Sequence, residues 1–281
     1  MSHEIDQPTA VERMMFQMVV PLMAIPPEGT PAFVTSGFIV EVEGWWFWIT
    51  AEHSFDFLDE YLKREPHAAV SFRPSFDPQR TGVLFAYKPT HALRLARESE
   101  KSLREPSDRE DLCFFLEHWR DQDIGIYLLE DYYAQNLRAA GVVPLREENI
   151  WKVDEEFLSE WKEKPDIRYY ISGAPASEVE LDDRGVPMAW SLKALRLGTK
   201  DLHQPMPTFE PWWTAEEHRG GVHGMSGGPI LIVCEGRVFW VGVQSSQIGA
   251  DGKTPREIRM SLAAYLYELL GAIVASLATG A

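Results

Sequence analysis

The sequence predicts a mostly β protein built as two small antiparallel β units, with one linker helix and one C-terminal helix. Three observations lead there. Short apolar runs of strand length recur along the chain, many bounded by Gly or Pro turns. They fall in two groups, before and after an acidic stretch at 147–164. That stretch and the last part of the chain carry apolar residues at helical spacing. The units expected are 14–146, a linker helix over 147–164, and 165–281, within a chain of 281 residues that is long enough for two modest cores.

Taken in order, residues 1–13 are polar. Met14–Ile25 (MMFQMVVPLMAI) is apolar and is expected to be the first strand. It is broken by Pro21, follows an acidic segment and lacks a small-residue cleavage site, so it is not read as a targeting segment. Pro26-Pro27-Glu28-Gly29 and Glu43-Gly44 are turns, the second leading into Trp45–Thr50 (WWFWIT). Residues 51–64 turn helical. Gly82–Tyr87 and Ile124–Leu129 read as strands, flanking a charged segment near 91–120 with helical character and a break at Pro106. In the linker, Ile150, Val153, Phe157 and Trp161 form a stripe on an acidic background. Strands are expected again at 168–172, 176–181, 188–195, 229–233 and 238–243. Thr254-Pro-Arg-Glu257 offers an N-cap, a first-turn proline and a capping-box glutamate, so a final helix is expected with Ile258, Leu262, Leu266, Leu269 and Ile273 on one face.

Composition narrows the function classes. Hydrophobic residues make up 45% and charged residues 25%, as in ordinary globular proteins. The net charge of −16 argues against non-specific binding to nucleic acid or to an anionic membrane. Two cysteines, Cys113 and Cys234, are too few for a disulfide scaffold, which favours reduced thiols and a cytoplasmic setting. The five-residue separations of His218 from His223 and of Cys113 from His118 do not make a metal site, and nothing calls for a cofactor.

The chemistry centres on His223-Gly-Met-Ser226-Gly-Gly-Pro229. A serine among glycines fits the elbow of α/β-hydrolases, the serine loop of another hydrolase class, or an ordinary turn. The elbow needs a strand before the serine and a helix after it. Here a polar, glycine-rich stretch precedes and a strand-like run follows. Chain order is the stronger test. All eight histidines precede Ser226, which closes the order in which histidine comes last. Only Asp6, in the polar N-terminal segment, precedes His53, which disfavours an aspartate-first order. The order His…Asp…Ser survives. His53 sits where the buried run Trp48-Ile-Thr-Ala-Glu turns sharply. Asp123 stands at the mouth of Ile124-Gly-Ile-Tyr-Leu-Leu, where it can hold an imidazole and stabilise its charge. Asp121 is the competing acid.

These segments resemble the trypsin-like, chymotrypsin-fold serine proteases of the bacterial, disulfide-free type. Thr35-Ser-Gly-Phe-Ile-Val resembles the strand leading to the catalytic histidine, and Thr50-Ala-Glu-His53 the T-A-x-H motif. Asp123-Ile-Gly resembles D-[ILV]-A with Gly125 for the usual alanine, and Gly224-Met-Ser-Gly-Gly-Pro resembles G-x-S-G-G-P. The likeness runs through most of 15–275. It implies two six-stranded antiparallel β-barrels, a serine endopeptidase with a covalent acyl-enzyme, Ser226 as nucleophile, His53 as general base and Asp123 as its orienting acid. It further implies an oxyanion hole from the backbone N–H groups of Gly224 and Ser226, and substrate contacts at Gly220, His223, Gln244, Ser245, Ser246 and Gln247. Met225 stands where zymogen-activated relatives carry an aspartate, so activation by a freed N-terminus is not expected. Gly220 brings no charge to the primary pocket, so cleavage after Arg or Lys is not expected.

Two functions compete at this stage. One is a peptidase that acts on protein or peptide substrates, needs no cofactor and serves as a component of a larger system with a partner protein. The other is a catalytically weak protease fold kept as a binding module. Every triad position holds the required residue type, which favours the first. The tryptophans Trp45, Trp46 and Trp48 are expected to be core and edge packing, and Trp212-Trp213 either lines the cleft or fills the core.

Overall fold

Thr9 settles the first element. Its hydroxyl accepts from the Glu12 N–H at 3.2 Å while Glu12 Oε2 accepts from the Thr9 N–H at 2.9 Å, a reciprocal cap that starts a helix. This helix, α1 (Ala10–Met18), buries Met15 and Met18. The expectation of a strand from Met14 is therefore corrected: the apolar content is real, but the cap makes it one face of a helix, and the strand β1 begins only at Leu22 (Leu22–Ile25). The computed structural model describes residues 9–27, 33–74, 82–95, 123–151, 168–174, 179–181, 187–190, 193–201, 208–211, 224–248 and 257–279.

The first group of strands follows. These are β2 (Phe33–Thr35), β3 (Phe38–Val42), β4 (Trp45–Thr50), β5 (Ala69–Phe72), β6 (Val83–Leu84), β7 (Ala92–Leu95) and β8 (Ile124–Leu128). Helix α2 (Glu52–Arg64) lies between β4 and β5, and α3 (Asp131–Ala139) follows β8. Two four-stranded antiparallel sheets result, in the orders β2-β1-β5-β6 and β3-β4-β8-β7. A bridge between Val19 and Phe38 joins them, with Val20 N–H donating to Gly37 O at 2.7 Å. The Glu43-Gly44 turn has φ of 49° and 87°, the left-handed pair that closes a tight hairpin. The core between these sheets is aromatic: Trp46, Trp48, Phe55, Phe72, Phe85 and Tyr127. Trp46 and Trp48 belong to it, each with its indole N–H satisfied, by Glu41 and by the Val20 carbonyl, whereas Trp45 stays exposed.

The second group is β9 (Arg168–Gly173), the hairpin β10 (Val179–Leu181) and β11 (Pro187–Trp190), then β12 (Lys193–Asp201), β13 (Thr208–Pro211), β14 (Pro229–Cys234), β15 (Arg237–Ile248) and β16 (Glu257–Leu262). Six of these close a barrel in the order β12-β13-β16-β15-β14-β9. Helix α4 (Ala263–Thr279) ends the chain's described part. A helix starting at Thr254 is a second correction. Glu257–Leu262 is the strand that closes the barrel between β13 and β15, and Ile258 and Met260, two apart, face its core. Most of the expected linker helix lies outside the described residues; within them, Glu147–Asn149 is a single 3₁₀ turn. The mostly β arrangement in two antiparallel groups, with a terminal helix, is as the sequence predicts.

Between the two groups lies a third core. Phe38, Val40, Phe47 and Ile49 from β3 and β4 meet Trp240 and Val243 from β15, and Leu266 and Leu270 of α4 and Met15 and Met18 of α1 cover it.

Candidate active site

Strand β4 ends at Thr50, Ala51 is the N-cap of α2, and His53 is the helix's second residue. Ala51 offers no side-chain cap, so the first N–H groups of α2 need acceptors from elsewhere. Asp123 supplies one. Its Oδ1 accepts from the His53 backbone N–H at 3.0 Å, and its Oδ2 lies 2.6 Å from His53 Nδ1. An ionised carboxylate only accepts, so Nδ1 carries the proton and Nε2 is left as the ring's acceptor. One aspartate thus caps the helix and fixes the imidazole. Strand pairing brings it there: β8 runs beside β4 with Gly125 opposite Thr50, two residues from Asp123.

Gly125 has a physical reason to replace alanine. A Cβ there would collide with the Phe55 ring, which α2 presses onto β8. His53 keeps about a third of its side chain exposed and Asp123 far less. Burial opposes the charge on His53, but the hydrogen bond and charge of Asp123, with Glu52 and Asp56 adding to it, outweigh burial and raise its pKa above 6.5. Glu52 is also shifted upward, first by burial and then by Asp56 and Asp123.

The Gly224–Gly228 loop comes from the other side, just before β14. Its carbonyls are pinned. Gly224 O accepts from the Ser36 N–H at 2.9 Å and from Ser36 Oγ at 2.7 Å. Met225 O accepts from Gly228 N–H, and Ser226 O lies 3.4 Å from Thr35 Oγ1. Gly227 N–H donates to Gln244 O, and Gln244 N–H to Gly228 O, both at 3.0 Å. Among the described residues, the N–H groups of Gly224 and Ser226 have no hydrogen-bond partner. Gly224 and Gly227 hold φ of 88° and 83°, where L side chains are strained. Gly227 also lies so close to Thr50 Oγ1 and Ala51 N that a Cβ would overlap both. The residue after Ser226 therefore rests on the segment that precedes His53. Met225 is fully buried in the barrel core beside Ile171 and Ile230.

Four buried hydroxyls stitch the two sides together, and the sequence reading missed them. Ser36 Oγ accepts from Ala174 N–H at 2.9 Å while donating to Gly224 O. Thr50 Oγ1 donates to Ser36 O at 2.7 Å. Thr35 Oγ1 lies 2.7 Å from the hydroxyl of Ser54, the neighbour of His53, and reaches Ser226 O. The available signal was a run of small polar residues, Thr35-Ser36-Gly37, set between apolar strands.

Of the other expected site residues, Gly220, His223 and Asp121 lie outside the described residues. Gln244 and Ser245 are fully buried on β15. The Gln244 backbone is engaged by the serine loop, its C=O accepting from the Gly227 N–H and its N–H donating to Gly228 O. Ser246 and Gln247 pair with Arg259 and Ile258 of β16.

No protein-family model matches the chain, and no curated protein matches it. Among solved structures, it is similar to a thermostable serine protease, AL20, from an extremophilic microorganism: 14% identity over 92% of this chain and 97% of that one, with a TM-score of 0.46. It is also similar to the active form of the Rv3671c protease from M. tuberculosis, at 13% identity over 93% of this chain and 82% of that one, with a TM-score of 0.41.

Proposed function

We propose that this chain is a serine endopeptidase. The observation that carries the reading is the double hold of Asp123 on His53, set against a loop whose Gly227 packs on Thr50 and Ala51. In this reading Ser226 Oγ attacks the scissile carbonyl and His53 Nε2 takes its proton. Asp123 keeps the imidazole in that tautomer and stabilises the imidazolium. The negative oxygen of the tetrahedral intermediate accepts from the N–H groups of Gly224 and Ser226, which have no partner among the described residues. His53 then protonates the leaving amine, an acyl-enzyme on Ser226 remains, and a water activated by His53 hydrolyses it.

Substrate pairing falls to the far end of β15. Strand β14 begins at Pro229 opposite Val243, so β15 runs on past it, and from Ser246 to Ile248 no described strand other than β16 pairs with it. An extended peptide adds there as a further strand. Buried Met225 cannot form an ion pair with a freed N-terminus, so the site is built without that activation step.

A fluorophosphonate probe tests the assignment. Wild type labels, and Ser226→Ala and His53→Ala do not. Labelling that survives Ser226→Ala overturns the site; a folded wild type that binds peptides but never labels is the binding module instead.

A further inference from the structure

Arg94 lies outside the triad, yet it is the centre of the contacts that hold His53's helix to Asp123's sheet. It sits on β7 directly opposite Gly125 of β8, in the register that follows Asp123. Its guanidinium reaches across to α2. Nη1 donates to Asp56 Oδ1 at 2.6 Å and Nη2 to Asp59 Oδ2 at 2.5 Å. Nη2 also lies 3.2 Å from the Tyr87 hydroxyl. The same cation lies over the Phe55 ring at 5.5 Å, and Phe55 stacks on Tyr87 while pressing onto Gly125. Two carboxylates one helical turn apart are thus forked by one planar cation, which a point charge on a flexible stem would not do as well.

The charges around His53 give this clamp a second consequence. Asp123 approaches from β8; Glu52 and Asp56 come from α2 itself, Asp56 three residues on and so on the same helical face. Strand β2, which also packs against α2, brings only Phe33, Val34 and Thr35. Arg94, from β7, is the one described cation whose charge is set against this acidic group, through Asp56 and Asp59. Without it, Asp56 would face the imidazole uncompensated.

We propose that Arg94 is a positioning residue for His53: it locks α2 onto the β7–β8 pair that carries Asp123, and it screens the imidazole from Asp56, so that Asp123 dominates the field His53 feels. The proposal rests on reading His53 as the general base. Its test reads His53 directly, by NMR titration of ¹⁵N-labelled histidine, with the resonance assigned by comparison with His53→Gln. The titration is run beside the pH dependence of fluorophosphonate labelling.

In Arg94→Gln the His53 midpoint rises by roughly half a pH unit, and the acid limb of labelling moves with it. Arg94→Lys, which keeps the charge, stays near the wild-type midpoint. Adding Asp56→Asn to Arg94→Gln brings the midpoint back down. Asp56→Asn alone lowers it, and this arm stands even if Arg94→Gln fails to fold. A folded Arg94→Gln with an unmoved midpoint, or an Asp56→Asn that raises it, overturns the proposal, whatever happens to the melting temperature. A wild type that never labels removes the peptidase reading, while the titration still decides the clamp.

Discussion

Asp123 commits both carboxylate oxygens to one residue, His53, one to its backbone and one to its ring. That gives two pH dependences of opposite sign. The His53 pKa is raised above 6.5, so the charged pair adds stability that is fully present below pH 6.5 and is lost as pH climbs through the raised value. The neutral imidazole needed as a base behaves oppositely: labelling of Ser226 is expected to rise with pH through a midpoint above 6.5. In Asp123→Asn the main stabiliser of the cation is gone, burial remains, and the midpoint should fall. Labelling should then drop by roughly 10⁴-fold, because the amide can hold the ring in the wrong tautomer. A labelling profile measured from pH 5 to 9 for both proteins checks this, and an Asp123→Asn midpoint at or above wild type would point to Asp121 as the acid.

At the scale of elements, the candidate site depends on a loop lying flat against the end of a strand. Gly227 permits that contact twice over, through its left-handed φ of 83° and its lack of a Cβ facing Thr50 and Ala51. Gly227→Ala should therefore cost about 1–3 kcal/mol of stability. By shifting Ser226 relative to His53, it should lower labelling by about 100-fold. Thermal melting and labelling rate, measured on the same sample, test the pair of effects; a variant that melts like wild type and labels normally would mean that the contact does not position the serine. The motifs at this end were legible because each lies within a few consecutive residues: Thr50-Ala-Glu-His53, Asp123-Ile-Gly and Gly224-Met-Ser-Gly-Gly. The hydroxyl contacts were not, since Ser36 meets Gly224 across 188 positions and Thr35 meets Ser226 across 191. Element type failed where two local signals competed. From Met14 on, apolar content suggested a strand, but the Thr9–Glu12 cap makes a helix through Met18. Over 257–262 the Thr254-Pro pattern suggested a helix, but an open barrel edge between β13 and β15 takes a strand. The second case needed long-range pairing, which no local window contains.

For the whole molecule, the division of the site between the two strand groups makes their shared core part of its function. His53 and Asp123 come from the first group and Ser226 from the barrel. What holds these together is the core where Phe38, Val40, Phe47 and Ile49 meet Trp240 and Val243. Trp240 is its largest side chain. It is fully buried, edge-on to Phe38 at 5.3 Å, with its indole N–H donated to Gly242 O at 2.9 Å. Its backbone carbonyl also accepts from Trp151 N–H, which ties the first part of the intervening segment to β15. Trp240→Ala leaves a cavity there and should cost about 3–5 kcal/mol, lowering the melting temperature by roughly 10 °C for a chain of this size. Because the cavity opens between the groups rather than inside either, labelling should be lost at a lower temperature than far-UV circular dichroism, whereas in wild type the two losses coincide. Coincident losses in Trp240→Ala would mean that the two groups unfold as one body even with their shared core cut, and that the site's integrity rests on the Ser36 and Thr35 hydrogen bonds rather than on this packing.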